Sequence, residues 1–213
     1  MQAETYSIAE LFSAAIDGTL SPDFTDWRRA DNFGLSVAHM AAMHGNLPKD
    51  FDDWDIALPS GWTVAHVAAG KDQLPPEYAQ WALADNKGWT VAHEAARLGL
   101  LPKTFSQWEL GSRFTEFLGD TVAHTAAKHR CLPEDYCQWG ITNKRGETVA
   151  DVVVGFYPSY YPSYYPLYVK AQEWLSAQID GEGAAAADAE SFVHEGEPEA
   201  ACLVENNNDG LRP

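Results

Sequence analysis

The chain has 213 residues, of which 46% are hydrophobic and 12% aromatic, enough apolar material for one sizeable core. Its formal net charge of −17 argues against indiscriminate attraction to DNA, RNA or anionic lipid, and its three cysteines are too few for a disulfide framework or a paired zinc knuckle. No apolar run approaches the ~20 residues needed to cross a bilayer, and residues 1–5 carry no basic or apolar signal, so a cytoplasmic, reducing setting is expected, a secreted effector without a conventional signal being left open.

From residue 4 to 157 one phrase returns along the chain: Val37-Ala38-His39, Val64-Ala65-His66, Val91-Ala92-His93 and Val122-Ala123-His124, each preceded by Ser or Thr and followed one residue later by Ala-Ala. The first three histidines stand 27 residues apart, and the step to His124 is 31, so an insertion lies in that unit. Self-similarity at a fixed period defines a repeat architecture. An earlier unit, with Ala14-Ala15, Gly18, Phe24 and Trp27, puts Phe12 in the histidine slot, and a last half unit ending in Ala150-Asp151 puts Asp151 there.

Within a unit, Ser36, Thr63, Thr90, Thr121 and Thr148 are placed to accept hydrogen bonds from the free N–H groups of a short helix. The small alanines let a neighbouring helix approach closely. Gly18, Gly45 and Gly99 fall where a left-handed C-terminal cap is needed, a slot held elsewhere by Asp72 and Arg130. The segments after Leu47-Pro48, Leu74-Pro75, Leu101-Pro102 and Leu132-Pro133 each carry an aromatic and then a tryptophan. Leu47, Phe51 and Trp54, at i, i+4 and i+7, predict a second helix with one apolar face. The ladder Trp27, Trp54, Trp81, Trp108 and Trp139 is assigned to core packing, with base or sugar stacking as the rival.

The phrase Gly61-x-Thr63-Val64-Ala65-His66-x-Ala68-Ala69 and its copies resemble the core motif of the ankyrin repeat, over roughly residues 4 to 157. The likeness is strong over the first helix and weak over the second, and the 27-residue unit is shorter than the ~33 of that family. The resemblance implies an all-α, ankyrin-like helical repeat solenoid with compact second helices and short return loops, acting by binding another protein. It also assigns His39, His66, His93 and His124 a structural role, hydrogen-bonding the loops and tying units together. Successive copies of one slot should lie about 10 Å apart, too far to share a metal whose ligands sit ~2.0–2.1 Å from the ion, so no metal site and no cofactor are expected.

Slots that vary between units are free of the stacking requirement. Trp62 and Trp89 follow the turn glycine where other units carry Leu35, Asp120 and Glu147. They are candidates for a partner-binding face, since tryptophan is a favoured anchor, or for packing against each other. By the same transfer Phe33, Leu35 and Arg97 join the face, alongside Met43, Lys87 and Lys128. The lengthened loop after Gly111 adds Phe114 and Phe117. No catalytic constellation is present: there is no phosphate loop, no His-Glu-x-x-His and no nucleophile elbow. Cys131 and Cys137 read as small buried side chains.

Past the repeats, the Tyr-Pro-Ser-Tyr run of residues 157–166 forbids a helix. Leu167, Ala171, Trp174, Leu175 and Ile179 then form a helical stripe, predicting a capping helix, so that 158–180 is a terminal segment. From 181 to 213 eight carboxylates face Arg212 alone, a composition that predicts a disordered acidic tail. Without it the −17 becomes −10, so the array itself is acidic. The expected function is a non-catalytic protein-interaction scaffold, as monomer or homodimer, acting as an inhibitor in its sharper form. One alternative is a nucleic-acid mimic that occupies a basic nucleic-acid-binding or defence protein, with no direct nucleic-acid contact of its own. A second is an unrecognised enzyme.

Overall fold

The computed structural model describes residues 6–112, 119–156 and 164–188. Helices α1 (Ile8–Asp17), α2 (Val37–His44), α3 (Val64–Ala69), α4 (Val91–Leu98), α5 (Val122–Lys128), α6 (Val149–Phe156) and α7 (Tyr165–Asp188) follow in chain order, each packed on its neighbours in sequence. Each of α2 to α5 carries one copy of the returning phrase, whose alanines and first valine are buried, letting the helices stack closely.

The start of each repeat helix is closed twice. Thr63 Oγ1 accepts from the backbone N–H of His66, while His66 Nδ1 accepts from the backbone N–H of Thr63 at 3.1 Å and from its hydroxyl at 2.7 Å. The histidine thus plays the part of the glutamate in a capping box. Since Nδ1 accepts, Nε2 carries the proton. Nε2 then donates across the unit boundary to a backbone carbonyl: His39 to Trp62 at 3.3 Å, His66 to Trp89 at 3.0 Å, His93 to Asp120 at 3.2 Å and His124 to Glu147 at 2.9 Å. All four imidazoles are fully buried. In the last half unit Asp151 keeps the cap with Thr148, its carboxylate accepting at 2.6 and 2.8 Å. In α1 the cap falls to Ser7 and Glu10, because that helix begins two residues earlier than Phe12 and Gly18 would place it.

The second half of the unit differs from expectation. Among the described residues it is a chain of turns and no second helix. Phe51 N–H donates to Pro48 O, Trp54 N–H to Asp52 O and Ile56 N–H to Asp53 O. A residue before proline is pushed out of the helical region, and the aspartates that follow favour turns. The turns still make a core. Rings alternate along the array from Phe24 and Trp27 through Phe51, Trp54, Tyr78, Trp81, Phe105, Trp108 and Tyr136 to Trp139, each edge-on to the next at 5.0 to 5.7 Å between centroids. This is the favoured T-shaped geometry, repeated within and between units. The same segments satisfy the next helix: Trp54 O accepts from Ala65 N–H and Ile56 O from Val64 N–H, and every later unit copies this pair.

Each unit then turns through a short hairpin closed by a single antiparallel bridge, as at Ala57 with Thr63 and Ala84 with Thr90. Gly61 stands at φ +82°, and a Cβ there would lie 2.5 Å from the backbone nitrogen of Asn86 in the next hairpin, so close stacking of hairpins requires glycine.

At the C-terminal end Tyr164, Leu167 and Ala171 are buried, and Trp174 closes on Gly140, sealing the last unit. Two sequence expectations are corrected here. Ile179 lies on the exposed side of α7, 72% accessible, outside the stripe. The helix also runs to Asp188, into the segment whose composition predicted disorder, because Ala184–Ala187 has the highest helix propensity available. Residues 189–213 and residues 157–163 of the Tyr-Pro run lie outside the described residues; the end of the run is helical after all, since Tyr165 and Pro166 open α7, where a proline in the first turn gives up no hydrogen bond. Cys131 is half-buried and packs against the core, whereas Cys137 is exposed and is not the buried side chain expected. No described helix is long and apolar enough to cross a membrane.

Candidate binding cleft

Two slots of the unit vary in residue type along the array. The residue just before each N-cap contributes Leu35, Trp62, Trp89, Asp120 and Glu147, and the fourth residue after each histidine contributes Met43, Gly70, Arg97 and Lys128. Both rows change character along the chain, from apolar at α2 to charged at α5. Trp62, Trp89 and Asp120 of the first and Arg97 and Lys128 of the second meet at a cleft of about 470 Å³, lined also by Asp85, Lys87, Glu94, Thr125 and His129.

The indoles form one wall. Trp62 lies over His66 with ring centroids 4.6 Å apart, and Trp89 over His93 at 4.9 Å. Each indole therefore rests on the imidazole of its own unit. Asp85 sets the second hairpin end, its Oδ1 accepting from the N–H groups of Lys87 and Trp89 at 2.9 and 2.8 Å.

Glu94 is the hub of the floor. Its Oε2 accepts from Trp89 Nε1 at 3.3 Å and from Arg97 Nε at 3.2 Å, and its Oε1 accepts from Arg97 Nη2 at 2.6 Å. Only 10% of the Glu94 side chain is accessible, against 41% of Arg97. A buried carboxylate is tolerable when its lone pairs are filled in this way. The bond to Glu94 holds the Arg97 guanidinium above its ordinary pKa.

Asp120 does the same work one unit on. It ion-pairs with Lys128 and accepts from Asn143 Nδ2 at 3.0 Å. Beside it, burial pushes the His129 imidazole down, and Arg97 and Lys128 push it further in the same direction. Glu94 opposes this shift, and the cleft lining balances Lys87, Arg97 and Lys128 against Asp85, Glu94 and Asp120.

Trp62, Trp89 and Arg97 thus come together, while Leu35 is half-buried and Phe33, 84% accessible, stands at a hairpin tip outside the cleft. Phe114 and Phe117 lie outside the described residues. Glu94 and Asp120 were not singled out in the sequence. The available signal was the position directly after each histidine, which reads Met40, Val67, Glu94, Thr125, together with the i, i+3 spacing of Glu94 and Arg97. No group of three metal-ligating side chains is present among the described residues.

No protein-family model and no curated protein matches the chain. Among solved structures, the ankyrin repeat domain of Bcl-3, a member of the IkappaB protein family, superposes with a TM-score of 0.50 at 17% identity, over 67% of this chain and 76% of that one. A chain from the complex of the predatory endopeptidase Bd0816 of Bdellovibrio bacteriovorus with immunity protein Bd3460 aligns with a TM-score of 0.48 at 21% identity, over 68% and 91%. The likeness is one of fold: the chain is an all-α, ankyrin-repeat-like solenoid.

Proposed function

We propose that the chain is a non-catalytic scaffold that binds a partner protein in the cleft walled by Trp62 and Trp89 and floored by Arg97. One observation carries this reading. The repeating Val-Ala-His-x-Ala-Ala slots are buried in the stack, and five residues at slots that vary between units, Trp62, Trp89, Arg97, Asp120 and Lys128, line one accessible cleft of about 470 Å³. Partly exposed tryptophan and arginine are the residue types that most often dominate binding energy. A rigid repeat frame presents them at little entropic cost.

The acidic-mimic reading has the net charge behind it. It has less support within the cleft, where Glu94 and Asp120 are each neutralised by a cation. If binding is centred on the indoles, affinity for a captured partner depends weakly on salt; competition by an acidic surface weakens steeply with ionic strength. The test is capture of partners by the full chain and by a Trp62→Ala/Trp89→Ala variant, with quantification of each retained protein. Loss of a partner by at least tenfold in the variant supports the cleft, and equal retention overturns it.

A further inference from the structure

The cleft carries cations that are oriented as well as present, and this deepens the proposed function, on which it rests. Arg97 spends two donors on Glu94, through Nε and Nη2. A guanidinium has five N–H donors in a fixed plane. Pinned along its Nε–Nη2 edge, Arg97 lines the cleft with 41% of its side chain accessible, and its Nη1 donors and the second Nη2 donor are not used by Glu94. That open edge matches a carboxylate bidentately. Lys128, in the equivalent slot of the next helix, stands at the same end of the cleft, with His129 beside it.

The slot preceding Arg97 in the same row is Gly70, and the backbone does not require it. Its φ is −65°, an ordinary helical value. A Cβ there would meet nothing closer than Val67 O at 3.4 Å and Glu94 Oε1 at 3.5 Å, ordinary contacts. In the same unit the residue that does adopt the left-handed conformation is Asp72, at φ +57°, where glycine would relieve strain. Glycine in this unit thus leaves space open beside the Glu94 carboxylate that orients Arg97.

We infer that the cleft selects a protein segment bearing an acidic side chain next to an aromatic one: the carboxylate takes the edge of Arg97 that Glu94 leaves open, and the aromatic ring lies on Trp62 and Trp89. The sign of this anchor is opposite to what the net charge of −17 suggests. The body of the protein repels acidic partners at long range, so the preference is short-ranged and set by geometry.

The experiment uses the full chain labelled with 15N and three synthetic twelve-residue peptides of one neutral, soluble sequence, in which a central Phe is followed by Glu-Glu, Gln-Gln or Lys-Lys. Indole N–H resonances of Trp62 and Trp89 are assigned with the single Trp→Phe variants and followed on titration. The Glu-Glu peptide is expected to shift both and to bind at least tenfold tighter than the Lys-Lys peptide. Arg97→Lys, which keeps the charge and loses the planar fork, is expected to weaken the Glu-Glu peptide about tenfold. Gly70→Gln, placed where a side chain has room, is expected to weaken it similarly with the melting temperature unchanged. Tighter binding of the Lys-Lys peptide at these indoles, or indifference to Arg97→Lys, overturns the carboxylate anchor and leaves the cleft as a binding face. If none of the three peptides moves either indole, the anchor is overturned, and a captured partner unaffected by the double tryptophan variant overturns the cleft as well.

Discussion

His93 donates from Nε2 to the backbone carbonyl of Asp120, 3.2 Å away in the next unit, while its Nδ1 closes the cap of its own helix with Thr90. One imidazole therefore joins local and inter-unit structure. His93→Ala is expected to cost about 3 kcal/mol, since it opens a cavity and strands a buried carbonyl. Asp151→Ala, which removes a cap with no unit beyond it, should cost about 1 kcal/mol. Urea unfolding of the two variants checks the difference, and equal losses would contradict the bridging role.

The histidines also set the acid limit of the fold. Burial lowers the pKa of all four, His93 to about 4 from 6.5. The unfolded chain takes up protons below about pH 6.5, whereas the folded chain resists them until lower pH. Stability is therefore complete above about 6.5 and is lost as pH falls toward 4, on the order of 3 kcal/mol from His93 alone. Urea midpoints between pH 7.5 and 4 should fall continuously over that window, and a flat profile would exclude the histidines as its origin.

Two units hold a left-handed turn with a residue that dislikes it, Asp72 at φ +57° and Arg130 at φ +61°. Asp72→Gly should raise stability by about 0.5–1 kcal/mol through relief of backbone strain. The reverse change at the equivalent site, Gly99→Ala, should be destabilising, because φ is +73° and the new Cβ would lie 3.1 Å from Cys131 Sγ. Thermal melts of both variants decide the sign.

The tryptophans divide by role. Trp81 is buried between Tyr78 and Phe105, so Trp81→Ala should cost about 3–5 kcal/mol. Trp62 lies on the cleft wall, and Trp62→Ala should cost less than about 1.5 kcal/mol, the loss of its contact with the His66 ring. Chemical denaturation separates the two classes, and a Trp62→Ala variant as unstable as Trp81→Ala would place that indole in the core.

The frame of this fold is readable in the sequence because its rule is periodic: Ser/Thr and histidine three apart make the cap, alanines make the close stack, and each demands the same residue every unit. The turn chain after each Leu-Pro resembles a helix in sequence because Leu47, Phe51 and Trp54 satisfy helical spacing whether or not a helix forms. Their partners are rings in the neighbouring units, and that contact is invisible to a local period. Trp62, Trp89 and Arg97 could be picked out as departures from the repeat. Glu94 could not, since its meaning depends on Trp89 and Arg97 arriving from a hairpin and from a helix face at once.

The histidine bonds all point the same way, each unit gripping the one that follows it in sequence. The array therefore has a direction, like a row of hooks and eyes. Shortening it from the N-terminal side exposes a carbonyl that water can solvate. Shortening it from the C-terminal side exposes an imidazole that recovers its ordinary titration and becomes a charge at mildly acidic pH. Deletion series from the two ends should thus yield fragments of equal length and unequal acid tolerance.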